Sequence, residues 1–396
     1  MIRVLHPITR LIVGGAQENT MFTAALLDRE HFYIEIVSGP QTGSEGSLIE
    51  EIRGRGIPLT ILPQLRREIS PLNDFIATWK LYRLIKIGGF SIVHTHSSKA
   101  GLLGRLAARL AGTSIIIHTV HGWSFHDHMA SWLRKTYIVL EKWAAQFTNT
   151  MIVVTERDIE KGLKEGIGRP EQYRLIRSAI PLADFHPFGV EERARLRVEL
   201  GIPESVPVLG NVGRFSPQKN PLDWVQVASR VADVVPDCHF LLVGDGPLRS
   251  EIEAQLQATG LKQRTVLTGL RRDVPRLMAA MDVFLLTSLW EGLPRVIPQA
   301  MAMGLPVVAN RADGTVEAIQ HGETGYLCTP GDLDGMAAYC LELLQNPLLR
   351  KTLGQNGRQY ITQEYDLRNM IAQIESLYAE LLSVQQGKSN ETERNK

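Results

Sequence analysis

The sequence predicts an α/β protein made of two consecutive domains, each built on a parallel sheet. Short apolar, β-branched runs alternate with amphipathic helical segments along the chain, the rhythm of strand–helix–strand units. That rhythm runs twice, with a break where Pro181-Leu-Ala-Asp-Phe-His-Pro187 gives way to the charged segment Glu191 to Glu199. The length of 396 residues also exceeds what one core of ordinary size accommodates.

Taken in order, Ile2 to Pro7, Tyr33 to Ser38, Leu59 to Leu62, Ile92 to Thr95, Ile115 to Val120, Met151 to Thr155 and Arg174 to Ser178 read as the strands of a first domain, residues 1–185. Val206 to Val212, His239 to Val243, Thr265 to Thr268, Val283 to Thr287, Pro306 to Asn310 and Tyr326 to Cys328 read as those of a second, residues 186–365. A last helix, 366–384, places Leu367, Met370, Ile371, Ile374, Leu377, Tyr378, Leu381 and Leu382 on one stripe, long enough to pack across a domain joint. The polar tail 385–396 is expected to be disordered.

Composition is that of a soluble globular protein, 44% hydrophobic and 21% charged with a net charge of +1, which argues against nucleic-acid binding through a strongly basic surface. Charge is nevertheless uneven: residues 1–185 carry 22 Lys+Arg against 17 Asp+Glu, and the remainder 21 against 25. Cys238, Cys328 and Cys340 are odd in number and lack paired spacing, so neither a disulfide framework nor a zinc knuckle is expected and a reducing compartment fits. The chain opens directly on a strand, and no apolar stretch approaches a spanning helix. A cytoplasmic protein is expected, with any membrane contact peripheral.

Chemistry concentrates in the second half. Gly213-Arg214-Phe-Ser-Pro-Gln-Lys219-Asn-Pro closes a strand and opens a helix, with Asn220 placed to cap it and Pro221 at its first position. Arg214 and Lys219 can then converge on phosphate oxygens at the carboxyl edge of a parallel sheet, one as a planar fork and the other as a point charge. In Val243-Gly-Asp-Gly-Pro247, Gly244 and Gly246 permit close backbone approach, either to a ligand or merely to neighbouring chain. Leu270 and Arg271, after the strand Thr265 to Thr268, could present backbone groups to a nucleobase or form a solvated turn. Glu291-Gly292-Leu293-Pro294-Arg-Val-Ile-Pro-Gln299 combines an acid and a glycine turn with a short helix. If that helix begins near Pro298, free N–H groups face an anion at its positive end. Glu291 would then bond a sugar hydroxyl and Gln299 a ribose hydroxyl.

With Val13-Gly14-Gly15-Ala16-Gln17 after the first strand and His118-Thr-Val-His121-Gly122 in the first domain, these motifs make the chain resemble, over nearly its whole length, a group 1 (family 4) glycosyltransferase of the GT-B fold. The resemblance implies two facing Rossmann-like domains, a nucleotide-sugar donor on the second and an acceptor on the first. It also implies retention of anomeric configuration without a bound metal or other cofactor. Arg214 and Lys219 would neutralise the diphosphate and Glu291 would hold the donor sugar. Gly15 would approach the diphosphate from the other domain, and His121 would lie near the donor sugar. Two positions depart from the family pattern: its second glutamate is Gln299 here, and its Gly-Gly-x-x-Glu stretch reads Asp313-Gly314-Thr-Val-Glu317. An amide still accepts from and donates to hydroxyls, which is compatible with donor binding.

His94, His96, His118, His121, His126 and His128 crowd the first domain, but no acid or cysteine ligands accompany them, so site lining and loop packing are expected rather than a metal centre. Asp332-Leu-Asp334 precedes an apolar helix and reads as an N-cap. The basic helices from Lys99 and from Trp132 to Trp143 could be core helices with a solvated face, or could dock on anionic lipid. The expected activity is transfer of a hexosyl or N-acetylhexosaminyl unit, UDP-linked rather than GDP-linked, to a glycan or lipid-linked glycan in surface-polysaccharide assembly. The alternatives are a nucleotide-sugar epimerase of the same fold and a non-catalytic sugar-nucleotide binder, for which Gln299 is the hint.

Overall fold

The computed structural model describes the chain except residues 42, 44, 362, 395 and 396, with the backbone alone of 363 and 388–394. Two compact units result: Met1–Ala179 with Leu367–Lys396, and Ile180–Asp366. The boundary falls before the expected residue 185 because the Ile180 N–H donates to the Tyr365 carbonyl (2.9 Å) and Ile180 bridges Asp366. The two ends of the second unit are thereby tied together, and the proline-containing segment 181–187 lies inside it.

In the first unit β1 (Ile2–Ile8), β2 (Phe32–Ser38), β3 (Leu59–Ile61), β4 (Ile92–His96), β5 (Ile115–Val120), β6 (Thr150–Val153) and β7 (Tyr173–Leu175) form one parallel sheet, ordered β3-β2-β1-β4-β5-β6-β7. In the second, β8 (Val208–Val212), β9 (His239–Val243), β10 (Thr265–Leu267), β11 (Val283–Leu286), β12 (Val307–Asn310) and β13 (Gly325–Cys328) are ordered β10-β9-β8-β11-β12-β13, again all parallel. Each expected strand is present. The edge strand β7 is shorter than expected because its only partner ends at Val153, opposite Leu175. Strand order reverses between β1 and β4 and between β8 and β11, and the crevice at such a point, outside the carboxyl ends, is where open α/β sheets take ligands.

Side-chain alternation divides the first unit's core into two layers. Val4, Ile92 and Ile117 face one way, towards the helices Gly15–Leu26 and Leu367–Arg394. Their neighbours Leu5, Val93 and Ile116 face the other, towards Ala77, Leu81 and Ala107 of the helices Pro71–Gly88 and Ser98–Ala111. The last helix returns the chain to the first unit, burying Leu367, Met370, Ile371, Ile374, Leu377 and Tyr378 in its core. That helix runs to Arg394, so the segment expected to be disordered from 385 is helical through 394. The packed portion nucleates the helix, and Gln385, Gln386, Lys388, Glu391, Glu393 and Arg394 extend it against the weaker propensity of Gly387, Ser389, Asn390 and Thr392. Residues 395 and 396 lie outside the described residues. The second unit's core gathers Trp224, Phe240, Leu285 and Val308 with Met336 and Leu343 of the helix Leu333–Gln345. No helix among the described residues is long and apolar enough to cross a membrane.

Candidate active site

In the second unit the loops after β8 and β11, on either side of the strand-order reversal, are bonded to each other. The Leu289 N–H donates to the Gln218 carbonyl (2.9 Å), and the Gln218 side chain donates to the Trp290 carbonyl (2.9 Å). The Thr287 hydroxyl donates to the carbonyls of Lys219 (3.1 Å) and Asn220 (2.9 Å). This clamp brings Lys219 Nζ and Glu291 Oε1 into an ion pair, with the lysine side chain 21% and the glutamate 8% exposed. Asp313, at a left-handed φ of 36°, accepts the Glu291 N–H at 3.1 Å. Arg214 stands partly buried in the same loop as Lys219.

The ends of β8, β9 and β10 are stitched by backbone bonds from Gly213 to Val243 (2.9 Å), Phe215 to Asp245 (2.9 Å) and Gly244 to Gly269 (3.0 Å). Here the two glycines have a concrete structural reason. A Cβ on Gly244 would stand 2.0 Å from the Gly213 carbonyl oxygen, and one on Gly246 would stand 2.5 Å from that of Phe215. Both also hold positive φ, 142° and 158°. They let the loop carrying Arg214 lie against the next strand end. Beyond Gly269, Leu270 is 42% exposed and Arg271 is held by both carboxylate oxygens of Asp273, at 2.7 and 2.6 Å.

Two local expectations change. The helix after Glu291 spans Val296–Ala302, starting before Pro298, because the Ile297 N–H already closes a turn on the Pro294 carbonyl (3.0 Å). Pro298 still gives up no internal bond at that third position, while the Gln299 N–H is taken by the Arg295 carbonyl (3.1 Å). Gly292, Leu293, Pro294 and Gln299 are all buried. Asn220 does stand at the N-cap of Pro221–Val234, but its backbone is left-handed (φ 49°) and its side chain donates to Asp223 at 2.5 Å rather than capping. Asp332 behaves as expected, accepting the Gly335 N–H at 2.9 Å.

In the first unit Gly15 opens the helix that follows β1, behind an extended Gly14. At the reversal between β1 and β4 the Thr9 N–H donates to the Ser97 hydroxyl (3.1 Å), and Ser97 holds an unusual left-handed φ of 59°. The histidines differ from expectation. His94, His96 and His118 are buried in strands β4 and β5 rather than packed in loops, and His6 of β1 joins them. His6 Nδ1 meets His96 Nε2 at 2.9 Å, and His96 Nδ1 meets His121 Nε2 at 3.3 Å. His94 is held by the Tyr378 hydroxyl and the Thr119 hydroxyl, each at 2.6 Å. Burial pushes the His6 imidazole down to about 3, and burial followed by neighbouring histidines holds His94 and His96 well below the usual range, so these rings are neutral at physiological pH. Ring nitrogens of His6, His94 and His96 lie within 4.8 Å of one another. A shared cation there would have to displace hydrogen bonds already made by His94 and between His6 and His96. The sequence reading missed His6 and Tyr378. A histidine in a largely apolar first strand was the available signal for His6, and the packing stripe of the last helix included Tyr378 without showing what it meets.

Two α/β units, each with a parallel sheet whose strand order reverses once, give the chain the GT-B fold. The chain belongs to the group 1 glycosyltransferases: residues 192–360 match "Glycosyl transferases group 1" and residues 14–178 match the "Glycosyl transferase 4-like domain". It is 32% identical over 387 residues to the Escherichia coli UDP-Gal:alpha-D-GlcNAc-diphosphoundecaprenol alpha-1,3-galactosyltransferase, covering 96% of this chain and 97% of that one. To the alpha-D-kanosaminyltransferase of Streptomyces kanamyceticus it is 26% identical over 383 residues, covering 85% and 98%. The crystal structure of Anabaena HepE in complex with UDP-glucose superimposes with a TM-score of 0.83 at 23% identity, covering 96% of this chain and 100% of that one, a likeness of fold.

Proposed function

We propose that the protein moves a hexosyl or N-acetylhexosaminyl unit from a UDP-sugar to a lipid-linked glycan during surface-polysaccharide assembly, with retention of configuration and without a bound metal. The observation that carries this is the loop pair that sets Lys219 against Glu291 at the strand-order reversal, with Arg214 in the same loop. Cations there can take up the charge that develops on a leaving diphosphate, the electrostatic task that a metal performs elsewhere. Glu291 is assigned to the donor sugar, and Gly213, Gly244, Gly246, Leu270, Arg271, Gly292, Leu293, Pro294 and Gln299 to the nucleotide and its ribose. Gly15 and His121 are assigned to the diphosphate and the sugar from the first unit, which takes the acceptor. The UDP and lipid-linked assignments draw on the Escherichia coli relative, whose name specifies both, and the UDP assignment also on the Anabaena complex. A lipid acceptor places the enzyme in the cytoplasm at the inner membrane face.

The test is a screen of nucleotide sugars, each incubated with enzyme and read by mass spectrometry for hydrolysis, with and without EDTA. One UDP-sugar hydrolysed in the presence of chelator is the expected result. Interconversion of the donor into its epimer would support the epimerase reading. Binding without turnover of any donor would favour the non-catalytic reading that Gln299 raises.

A further inference from the structure

The first unit's outer helical layer carries a surface that the reading of the donor site does not use. The helices Pro71–Gly88, Ser98–Ala111 and Ser131–Ala145 follow β3, β4 and β5, and neighbours in this series pack on each other. From the sequence, the second and third could be core helices with a solvated face or could dock on anionic lipid. The second is largely covered, while the first exposes a stripe the sequence reading passed over: Leu72 (71% exposed), Phe75 (70%) and Trp79 (49%), followed on the same side by Arg83 and Lys86. The spacing of three, four and four residues keeps Leu72, Phe75, Trp79 and Arg83 on one helical face. The Arg83 guanidinium lies over the Trp79 ring at 5.0 Å. Ser131–Ala145 turns Trp132 (70% exposed), Val139 and Trp143 outward together with Lys135 and Lys142.

Charge selects the occupant. The three helices contain only two acids, Asp74 and Glu141, and both are consumed internally, by Lys99 at 2.6 Å and by Arg105 at 2.7 Å. Exposed large apolar side chains, interleaved with lysine and arginine and free of outward acids, suit a surface that is apolar within and anionic at its rim. Tryptophan and long cationic side chains settle at the headgroup level of a bilayer.

We propose that the outward face of Pro71–Gly88, led by Leu72, Phe75 and Trp79, docks the enzyme on an anionic lipid bilayer. The proposal deepens the lipid-linked acceptor reading and takes its purpose from it. Pro71 begins its helix shortly after β3, and Lys99, just beyond β4, bonds Asp74 in the first turn. The apolar end of the stripe therefore stands beside the carboxyl edge of the first unit's sheet. Docking there would bring lipid to the edge assigned to the acceptor.

The experiment is flotation of the full chain with vesicles of phosphatidylglycerol and phosphatidylethanolamine, or of phosphatidylcholine alone, over a salt series. Size-exclusion chromatography with light scattering runs alongside. The wild type should bind the anionic vesicles, and more weakly as salt rises. Phe75→Gln/Trp79→Gln should lower the partition coefficient at least tenfold at every salt concentration. Arg83→Glu/Lys86→Glu should lower it about tenfold at low salt only. Both should keep the wild-type melting temperature and hydrolyse soluble donor at the wild-type rate, since none of these residues belongs to the donor site. Wild-type partition by the Phe75→Gln/Trp79→Gln protein, or failure of the wild type to bind anionic vesicles, would overturn the proposal. So would a wild-type dimer that dissociates in that variant, because the face would then be covered by a second copy. Vesicle binding without transfer to any lipid-linked acceptor would refute the acceptor reading and leave the surface standing.

Discussion

Lys219 Nζ and Glu291 Oε1 form an ion pair across the two loops that flank the strand-order reversal of the second unit. The cation assigned to the diphosphate and the carboxylate assigned to the sugar are thus partners, so a change at either also alters the charge around the other. On the proposed assignment, a donor drawing Lys219 towards its phosphates would free the Glu291 oxygens for sugar hydroxyls and so link occupation of the two subsites.

Arg214→Ala and Lys219→Ala are each expected to lower kcat by about a hundredfold, the scale of one lost electrostatic stabiliser. Lys219→Ala also strands a largely buried carboxylate, so it should lower the melting temperature noticeably. Combined with Glu291→Ala it should cost less than the sum of the single changes. Steady-state kinetics and thermal melts on the two single variants and the double variant check this. Near-wild-type turnover in both single variants would remove the site assignment.

Glu291→Gln should reduce sugar transfer far more than UDP affinity, measured by calorimetry with UDP beside turnover of the UDP-sugar. Gln299→Glu restores the residue of the family pattern and should keep kcat within about tenfold of the wild type, since one altered hydrogen bond is worth about 0.5–1.5 kcal/mol. A folded but inactive Gln299→Glu protein would give the amide a role of its own.

Gly244→Ala tests the backbone contact between strand ends. Its Cβ would meet the Gly213 oxygen at 2.0 Å in a backbone conformation of φ 142°, so the loop carrying Arg214 must move. Destabilisation of about 1–3 kcal/mol by urea titration is expected, together with weaker UDP binding. An unchanged unfolding midpoint would show that the loop accommodates the methyl group.

The neutral histidine cluster sets an acid limit. His6, His94 and His96 have folded pKa values below their unfolded value near 6.5, so between those values the unfolded chain binds more protons and stability falls as pH is lowered. For His6 this window runs from about 6.5 down to about 3, at about 1.4 kcal/mol per pH unit. Urea midpoints should be level above pH 7 and decline below about 6, with a shallower decline in His6→Gln. Identical profiles for the two proteins would exclude His6 as a contributor.

The strands among the described residues were legible because strands buried on both faces read as short β-branched runs between turn signals. The glycine-bearing loops were legible for the same local reason. What escaped depends on which distant residues meet. Lys219 and Glu291 are 72 positions apart and His94 and Tyr378 are 284, separations that no local period encodes. Pro71–Gly88 is apolar on more than one side, so sequence showed its apolar residues without showing that Leu72, Phe75 and Trp79 lie on the uncovered one. At Pro298 the rule for proline near a helix start held, while the start itself was fixed earlier by the turn from Pro294 to Ile297.

The return of the last helix to the first unit carries a consequence for biosynthesis. Residues 180–366 are contiguous and contain their whole sheet, whereas the first unit lacks the helix that buries Tyr378 against His94 until the segment from Leu367 onward has been translated. Chains truncated after residue 366 and released from the ribosome should therefore yield a protease-resistant second unit and a susceptible first one. Resistance of both would show that the first unit closes without its helix. The part of the enzyme translated first is the part completed last, and until then its unfinished apolar face is open to chaperones.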